Sequence, residues 1–377
     1  MNRIQARSPY FIKYTDTDLY SIEVNLYLYT GTQTSDRGSV TYNLLVEAYE
    51  DVCVVDVSQM VADYIDIEFD GLYGSQMIWV DYDLTPTTIV AGEQVEGATQ
   101  SMVQLEGYDG FRYHQEGAQN NDRANDTNKL LQSNRCVYKA NDKVVRIPVI
   151  RDSSYTVTYV SNNEVVYQDS VTASLDSDNR IKYITNGTVD GEDSYKERIK
   201  ADGGSYEESS CLEGMFDIIE LYDVDTIYID GEAVRIKDSI CNPFESYKVT
   251  FVNRFGALQD LWFTGKSERT MKSKTQGKYR ANTLVGDSYS ISAHNSRGIS
   301  RNAVDSMKIN SGFIVEDCLV AFKELELSNQ AWIEIDGDTL PIIVKDGTYK
   351  YKTHLNDGLI NYSTTVEFAF NTISNIR

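Results

Sequence analysis

Histidine, cysteine and tryptophan are scarce in this chain of 377 residues, and each shortage narrows the chemistry open to it. The three histidines (His114, His294, His354) are dispersed, which gives a Ser/His/Asp relay little to work with. No H-x-x-x-H, G-x-S-x-G or P-loop pattern occurs, so metal-hydrolase, nucleophile-elbow and nucleotide-phosphate chemistry have no carrier. The five cysteines (Cys53, Cys136, Cys211, Cys241, Cys318) lie far apart, and none forms a C-x-x-C pair. An odd, scattered count argues against a disulfide framework or a zinc site and fits folding in a reducing cytoplasm. No run reaches the roughly 18 apolar residues of a membrane-spanning helix. The opening stretch MNRIQARSPYFIKY has no apolar core of signal-peptide length. A soluble, unsecreted chain with no membrane partner is expected. Short internal repeats are absent.

Positive charge is also short. Lys and Arg number 35 against 57 Asp and Glu, a net charge of −22. Wrapping nucleic acid requires Lys and Arg to displace phosphate counterions. DNA is therefore expected only as a passing occupant, which an acidic wall repels and lets slide.

What is present is β-sheet signal. Tyr is abundant, at 27 residues against 12 Phe and 3 Trp, and suits both half-buried pleated surfaces and contact faces. EVNLYLYTG alternates Val24, Leu26 and Leu28 with Glu23, Asn25, Tyr27 and Tyr29. Asp-Gly dipeptides begin at Asp70, Asp109, Asp190, Asp202, Asp230, Asp336, Asp346 and Asp357, a residue pair suited to tight hairpins. TIYIDGEAVRI and IIVKDGTYKYK read as hairpins, and SYTVTYVSNNEVVYQDSVTA as another that turns at Asn162-Asn163. SYKVTFVNRFGALQDLWF reads as two strands around a turn at Asn253–Gly256. Two helices are expected. In SQMVADYI, Met60 and Val61 face Tyr64 and Ile65 behind a Ser58 cap. In SGFIVEDCLVAFKELELS, Ile314, Cys318, Ala321, Phe322 and Leu325 share a face behind Ser311.

Candidate chemistry is thin. Paired carboxylates serve glycoside hydrolysis, but among 57 acidic residues a pairing carries no information. DIEFDG (Asp66, Glu68, Asp70, Gly71) begins like a calcium loop, yet the twelfth position is Met77 where a bidentate Glu is required. Trp79, Trp262 and Trp332 would stack on sugars if exposed, and read as core where alternating apolar residues flank them. No cofactor or metal is expected. Two stretches stand out as contact sites. GKSERTMKSKTQGKYR holds Lys266, Arg269, Lys272, Lys274, Lys278 and Arg280 against Glu268 alone and reads as a cationic hairpin loop. The polar excursion Gly107–Asn134 contributes Tyr108, Phe111 and Tyr113; loops of that length are commonly functional. From Asp176 to Glu232 the chain carries 16 Asp/Glu against 5 Lys/Arg, an acidic crossing.

SYKVTFVNRFGALQDLWFTGKS resembles a signature of structural proteins of tailed bacteriophages, notably of crAss-like phages of Bacteroidetes hosts. IQARSPYFIKY, EGYDGFRYHQEGAQNN, RIPVIRD, GFIVEDCLVAFKELELSNQAWIEIDG and LPIIVKDGTYKYKTHLNDGLINYSTTVEFAF resemble further family segments in the same order. The resemblance spans most of the chain and is weakest over Asp176–Ser210. It implies a virion protein of the tail or neck, similar to tail-hub and ring proteins built of β-barrels.

The expectation is thus a mainly β chain: two or more β-barrel or sandwich domains with a few short helices, tail-hub-like. Its divisions are an N-terminal β domain over 1–106, a long polar loop over 107–135 and a central β region with the acidic crossing over 136–210. A C-terminal β domain follows over 211–377, with one helix near 312–327. The expected function is a non-enzymatic ring subunit around a DNA channel, assembled in the host cytoplasm and resident in the virion tail. Its partners would be further copies of itself and other tail, neck or portal-proximal proteins. The alternatives are a carbohydrate- or receptor-binding β-protein, as in a fibre or adhesin, and a glycan hydrolase or virion lysin.

Overall fold

The computed structural model describes residues 3–372 except 34, 75, 121–127, 141–142, 190–218, 222, 240–243, 276, 283, 300, 316–317 and 346–358. Period-two alternation decides most of the fold. Along Leu19–Tyr29, Ile22, Val24, Leu26 and Leu28 turn into a core, while Glu23, Asn25 and Tyr27 stay half-buried. This strand lies in a sheet ordered Arg3–Gln5, Gln100–Tyr108, Ile78–Val90, Leu19–Tyr29, Tyr42–Glu47, with Glu93–Glu96 added beside Ile78–Val90. A smaller sheet of Val52–Asp56, Tyr10–Thr15 and Gln119–Asn120 shares its core, in which Ile12 and Cys53 meet Ile4, Val24, Leu26 and Val80. Helix α1 (Ser58–Tyr64) closes this core with Val61. Ser58 is its first helical residue, not its cap: Val57 holds the cap position, and the Asp56 carboxylate accepts the Ser58 N–H at 3.0 Å.

A second core forms under a sheet ordered Cys136–Lys139, Glu232–Asp238, Thr226–Ile229, Tyr155–Ser161, Glu164–Val171. The separate pair Arg146–Ile150 with Ile181–Thr185 contributes Ile147, Val149 and Ile184 to it. Thr226–Ile229 and Glu232–Asp238, which a division at 210/211 assigns to the last unit, hydrogen-bond in this central sheet. Both expected turns are present, with Asn162 and Asn163 at φ 51° and 67°, and Asp230 and Gly231 at 50° and 82°. Positive φ at both central residues matches the right-handed twist of the flanking strands.

The third core lies under a seven-stranded sheet ordered Leu258–Phe263, Tyr247–Val252, Ala331–Ile335, Asp338–Val344, Leu359–Phe368, Arg301–Val315, Glu268–Thr275. Tyr247–Val252 and Leu258–Phe263 form the expected hairpin about Asn253–Gly256. Helix α2 (Leu319–Glu326) packs Ala321, Phe322 and Leu325 against Val249, Phe251, Phe263 and Ile333.

The helix expected to begin behind Ser311 is shorter. Ser311–Val315 end the strand Arg301–Val315, which crosses a bulge between Asn310 and Phe313. There Gly312 takes φ 72°, and the Asn310 side chain accepts its N–H at 2.8 Å. The bulge moves the inward face, so Ile314 is buried and Phe313 exposed.

Among the described residues the chain is mainly β with two short α-helices, its sheets are packed as sandwiches, and no closed barrel forms. The Asp346-Gly347 hairpin, most of the acidic crossing, and Cys211, Cys241 and His354 lie outside the described residues. No described helix is long and apolar enough to cross a membrane.

Candidate interaction surface

The three cores are locked together by polar groups. Arg180 is fully buried, and its guanidinium donates to the Glu106 carboxylate and to the Arg151 and Ser174 carbonyls. Glu106 also accepts the Tyr108 hydroxyl at 2.9 Å, so the first sheet is tied to the central unit through a paired, hydrogen-bonded charge. Asn253 anchors the third unit: its amide donates to the Leu131 carbonyl at 2.7 Å and to Gln259 at 3.0 Å.

Two of the resembling segments meet here. The turn Asp109-Gly110-Phe111 lies on the turn Asn253–Gly256, where the Phe111 N–H donates to the Arg254 carbonyl at 2.8 Å. A Cβ on Gly110 would come within 3.0 Å of the Phe255 carbonyl carbon, and one on Gly256 within 2.6 Å of the Tyr108 Cβ. Backbone therefore meets backbone at a distance that only glycine allows.

Beside this junction, one face of the third sheet carries Lys248, Thr250 and Asp260, covered by Tyr73 and Arg146. Asp260 accepts from Tyr73 and Thr250, and Arg146 approaches at 3.7 Å. Burial pushes its carboxyl above the usual range, against the opposite pull of Lys248, the two hydrogen bonds and Arg146. Burial first, then the Asp260 charge, raises the Tyr73 phenol far above its ordinary value.

The exposed surface is different in kind. The cationic segment is not a loop but a strand: Glu268–Thr275 pairs antiparallel with Arg301–Val315 from Glu268↔Lys308 to Thr275↔Arg301. Beyond it the ribbon continues as Lys278–Arg280 against Ser296–Gly298 and Leu284–Val285 against Ser288–Tyr289. Together these make one arm leaving the edge of the seven-stranded sheet. Residues 266–308 carry nine Lys/Arg against three Asp/Glu. Apolar groups lie open on the arm as well: Met271, Tyr279 and Ile299 are exposed, and Ile291 is 97% exposed. A two-stranded ribbon in water is marginal by itself, and exposed apolar groups among cations are features of a contact surface.

The expected contact residues divide sharply. Lys272, Lys274, Lys278 and Arg280 are exposed along the arm. Arg269 is also exposed but engages Asp305 at 3.1 Å and covers the Phe368 ring at 5.3 Å. Lys266 lies at the root, lining a cavity of about 380 Å³ with Phe244, Phe313 and Asn361. The polar excursion corrects the other three. Tyr108 ends the strand Gln100–Tyr108 and is 1% exposed. Phe111 is buried beneath Arg7, at 5.1 Å. Tyr113 is half-buried under Lys323 and Arg254, at 4.0 and 4.9 Å. Their aromatic rings serve the junction because the adjacent Asp-Gly turn docks there. Leu130, Leu131, Gln132 and Asn134 are likewise buried, so both flanks of the excursion are packed, while residues 114–118 stay exposed.

The returning strand of the arm, Arg301–Val315, was missed within the sequence. Its signal is the alternation of Ala303, Met307 and Ile309, all buried. All three tryptophans are buried, and Trp79 donates to the Gly31 carbonyl at 3.0 Å. His114 opens a short 3-10 turn, and His294 lies exposed near the arm tip. Among the described residues no group of three or more His, Cys, Asp or Glu is placed to hold a metal ion. Compared with family models, with curated proteins and with solved structures, the chain gave no match in any of the three.

Proposed function

We propose that this protein is a non-enzymatic structural subunit of a closed ring, in the tail or neck of a tailed bacteriophage and similar to a tail-hub protein. The observation that carries the assembly reading is the arm, an exposed cationic ribbon that belongs to an otherwise acidic chain. Its natural counterpart is acidic protein surface, which further copies of the chain supply. Contacts of this kind, between two different patches, close into rings when the rotation between copies permits. The polar locks between the three cores suit a subunit that bears load without changing shape. The phage setting comes from the resemblance of the Ser246–Ser267 segment and its companions. In that setting the partners are neighbouring tail, neck or portal-proximal proteins, DNA passes through the channel, and assembly takes place in the host cytoplasm before residence in the virion.

The test is the mass of the purified protein in solution as concentration rises, with negative-stain images. Concentration-dependent oligomers that image as rings are the expected result. Charge reversal at Lys272→Glu with Lys274→Glu should weaken assembly, by a larger factor at low salt than at high salt. Monomers at every concentration, or assembly indifferent to that reversal, would count against the reading.

A further inference from the structure

Between Lys13 and Arg112 the chain holds 18 Asp/Glu and a single cation, Arg37, which Asp83 engages at 2.9 Å. The first sheet gathers seven of these carboxylates at one end. Glu47 lies opposite Ser21, Ser21 opposite Thr87, and Thr87 opposite Glu96, so a row across four strands has a Glu at either side. Strands about 4.8 Å apart make that row roughly 14 Å wide. Glu93 follows on the same hairpin, opposite Val90. The Asp18 carbonyl accepts the Ile89 N–H at 2.9 Å, and the Asp16 N–H donates to the Asp51 carbonyl at 3.3 Å. These bonds bring Asp16, Asp18, Glu50 and Asp51 to the same end. All seven carboxylates are exposed, and none is ion-paired among the described residues. Leu45 and Tyr49 stand open among them, 72% and 78% exposed, with Tyr20, Val90 and Val95 exposed alongside.

The arm carries the complementary set. Lys272, Lys274, Lys278, Arg280 and Arg297 are exposed and likewise without an ion pair among the described residues. Met271, Tyr279, Ile291 and Ile299 lie open between them. Tyr279 and Arg297 face each other across the distal ribbon and share one of its faces, while Lys278 and Arg280 take the other, so both faces are cationic. Charge alone does not choose among acidic surfaces. Contact surfaces centre on aromatic and aliphatic groups and keep charge at the rim, and the sheet end offers both. Neither set is satisfied within its own copy.

We propose that the arm of one copy docks on the acidic end of the next copy's first sheet, formed by Glu47, the Glu50-Asp51 turn and the hairpin 90–96. The inference rests on the ring reading above and names the surface that receives the arm. Apolar contact supplies cohesion, while opposite charge steers the approach and rejects encounters of arm with arm or end with end. Because the two patches differ, each copy keeps one of each kind available, and addition continues head to tail until the ring closes.

Charge exchange between full-length chains tests the docking. An end-reversed variant carries Glu47→Lys, Glu93→Lys and Glu96→Lys, all on strands and clear of the positive-φ residues Asp18, Glu50 and Asp51. These changes move the net charge from −22 to −16, which by itself eases repulsion between copies. Its association constant, read by sedimentation, should nevertheless fall about tenfold. The arm-reversed variant, with Lys272→Glu and Lys274→Glu, should fall as well. Mixing the two should restore oligomers, because each reversed patch then meets its opposite on the other chain. Carbodiimide coupling in a mixture of isotope-labelled and unlabelled wild type should join Lys272, Lys274 or Lys278 of one copy to Glu47, Glu50, Asp51, Glu93 or Glu96 of another. That wild-type readout decides the matter even where a variant folds poorly. Assembly indifferent to end reversal, a mixture no stronger than its parts, or coupling of the arm to residues 176–232 instead overturns this docking and leaves the ring reading standing. Absence of both oligomers and coupling overturns the two together.

Discussion

At Asp260 a single carboxyl group sets a measurable pH dependence. It lies on a sheet face sealed by Tyr73, with Thr250, Arg146 and Lys248 around it. Burial raises its pKa in the folded chain above the value of about 3.9 that it has when unfolded. Between those two values the folded state holds the proton more tightly. Its contribution to stability is thus full below about pH 4 and is lost as pH rises through the raised value. Asp260→Asn keeps an oxygen that accepts from Tyr73 and Thr250 but has no charge to bury. The melting temperature of the variant, measured from pH 4 to pH 8, should gain on that of the wild type as pH rises. Parallel curves would show that Asp260 is ionised throughout and that its neighbours compensate burial fully. Glu324 has the same sign, with burial as the largest cause, so only the difference between variant and wild type isolates Asp260.

At the scale of the element, the arm and the body obey different rules. Within the body, strands such as Leu19–Tyr29 and Tyr155–Ser161 bury one face, whereas the distal ribbon from Lys278 to Gly298 buries neither among its described side chains. Replacing residues 276–300 with Asn-Gly would join Thr275 to Arg301, already opposite each other in the ladder. A tight turn suits that pair. Since none of the described side chains removed is buried, the melting temperature should move by no more than a few degrees, while oligomer formation falls. A collapse of the melting transition would instead make the arm part of the folding unit. The same contrast explains what the sequence could disclose. The hairpins at Asn162-Asn163, Asp230-Gly231 and Asn253–Gly256 were legible because turn chemistry and buried alternation coincide there. The arm reads as a loop in the sequence because a ribbon wet on both faces needs no alternation. Ile314 reads as helical because it lies four residues before Cys318, and the bulge at Gly312 that turns it inward leaves no periodic trace. Tyr108, Phe111 and Tyr113 looked like contact residues because burial across 140 or so residues of sequence, from Gly110 to Gly256, is invisible to local pattern.

For the whole molecule, the net charge of −22 and the cationic arm pull association in opposite directions. Copies of an acidic chain repel one another at long range, and the reach of that repulsion is the Debye length, about 30 Å at 0.01 M salt and about 10 Å at 0.1 M. The arm would act at contact distance, through a few ion pairs. Raising salt from about 0.01 M toward 0.1 M removes repulsion between whole subunits before it weakens pairs in contact. Raising it further screens the pairs themselves, each worth at most about 1 kcal/mol where exposed. The association constant should therefore pass through a maximum with salt rather than change in one direction. Reversing Lys272 and Lys274 to Glu takes four charges from the arm, so the variant has a net charge of −26 and the arm falls from a net of +6 to +2. Its association should then be weaker at every salt concentration, and its maximum should be shallower and lie at higher salt. Sedimentation of both proteins across the same salt series separates the two terms. A wild type whose association also climbs steadily with salt would mean that apolar contact, such as Met271, Tyr279 and Ile299 provide, holds the copies together without help from charge.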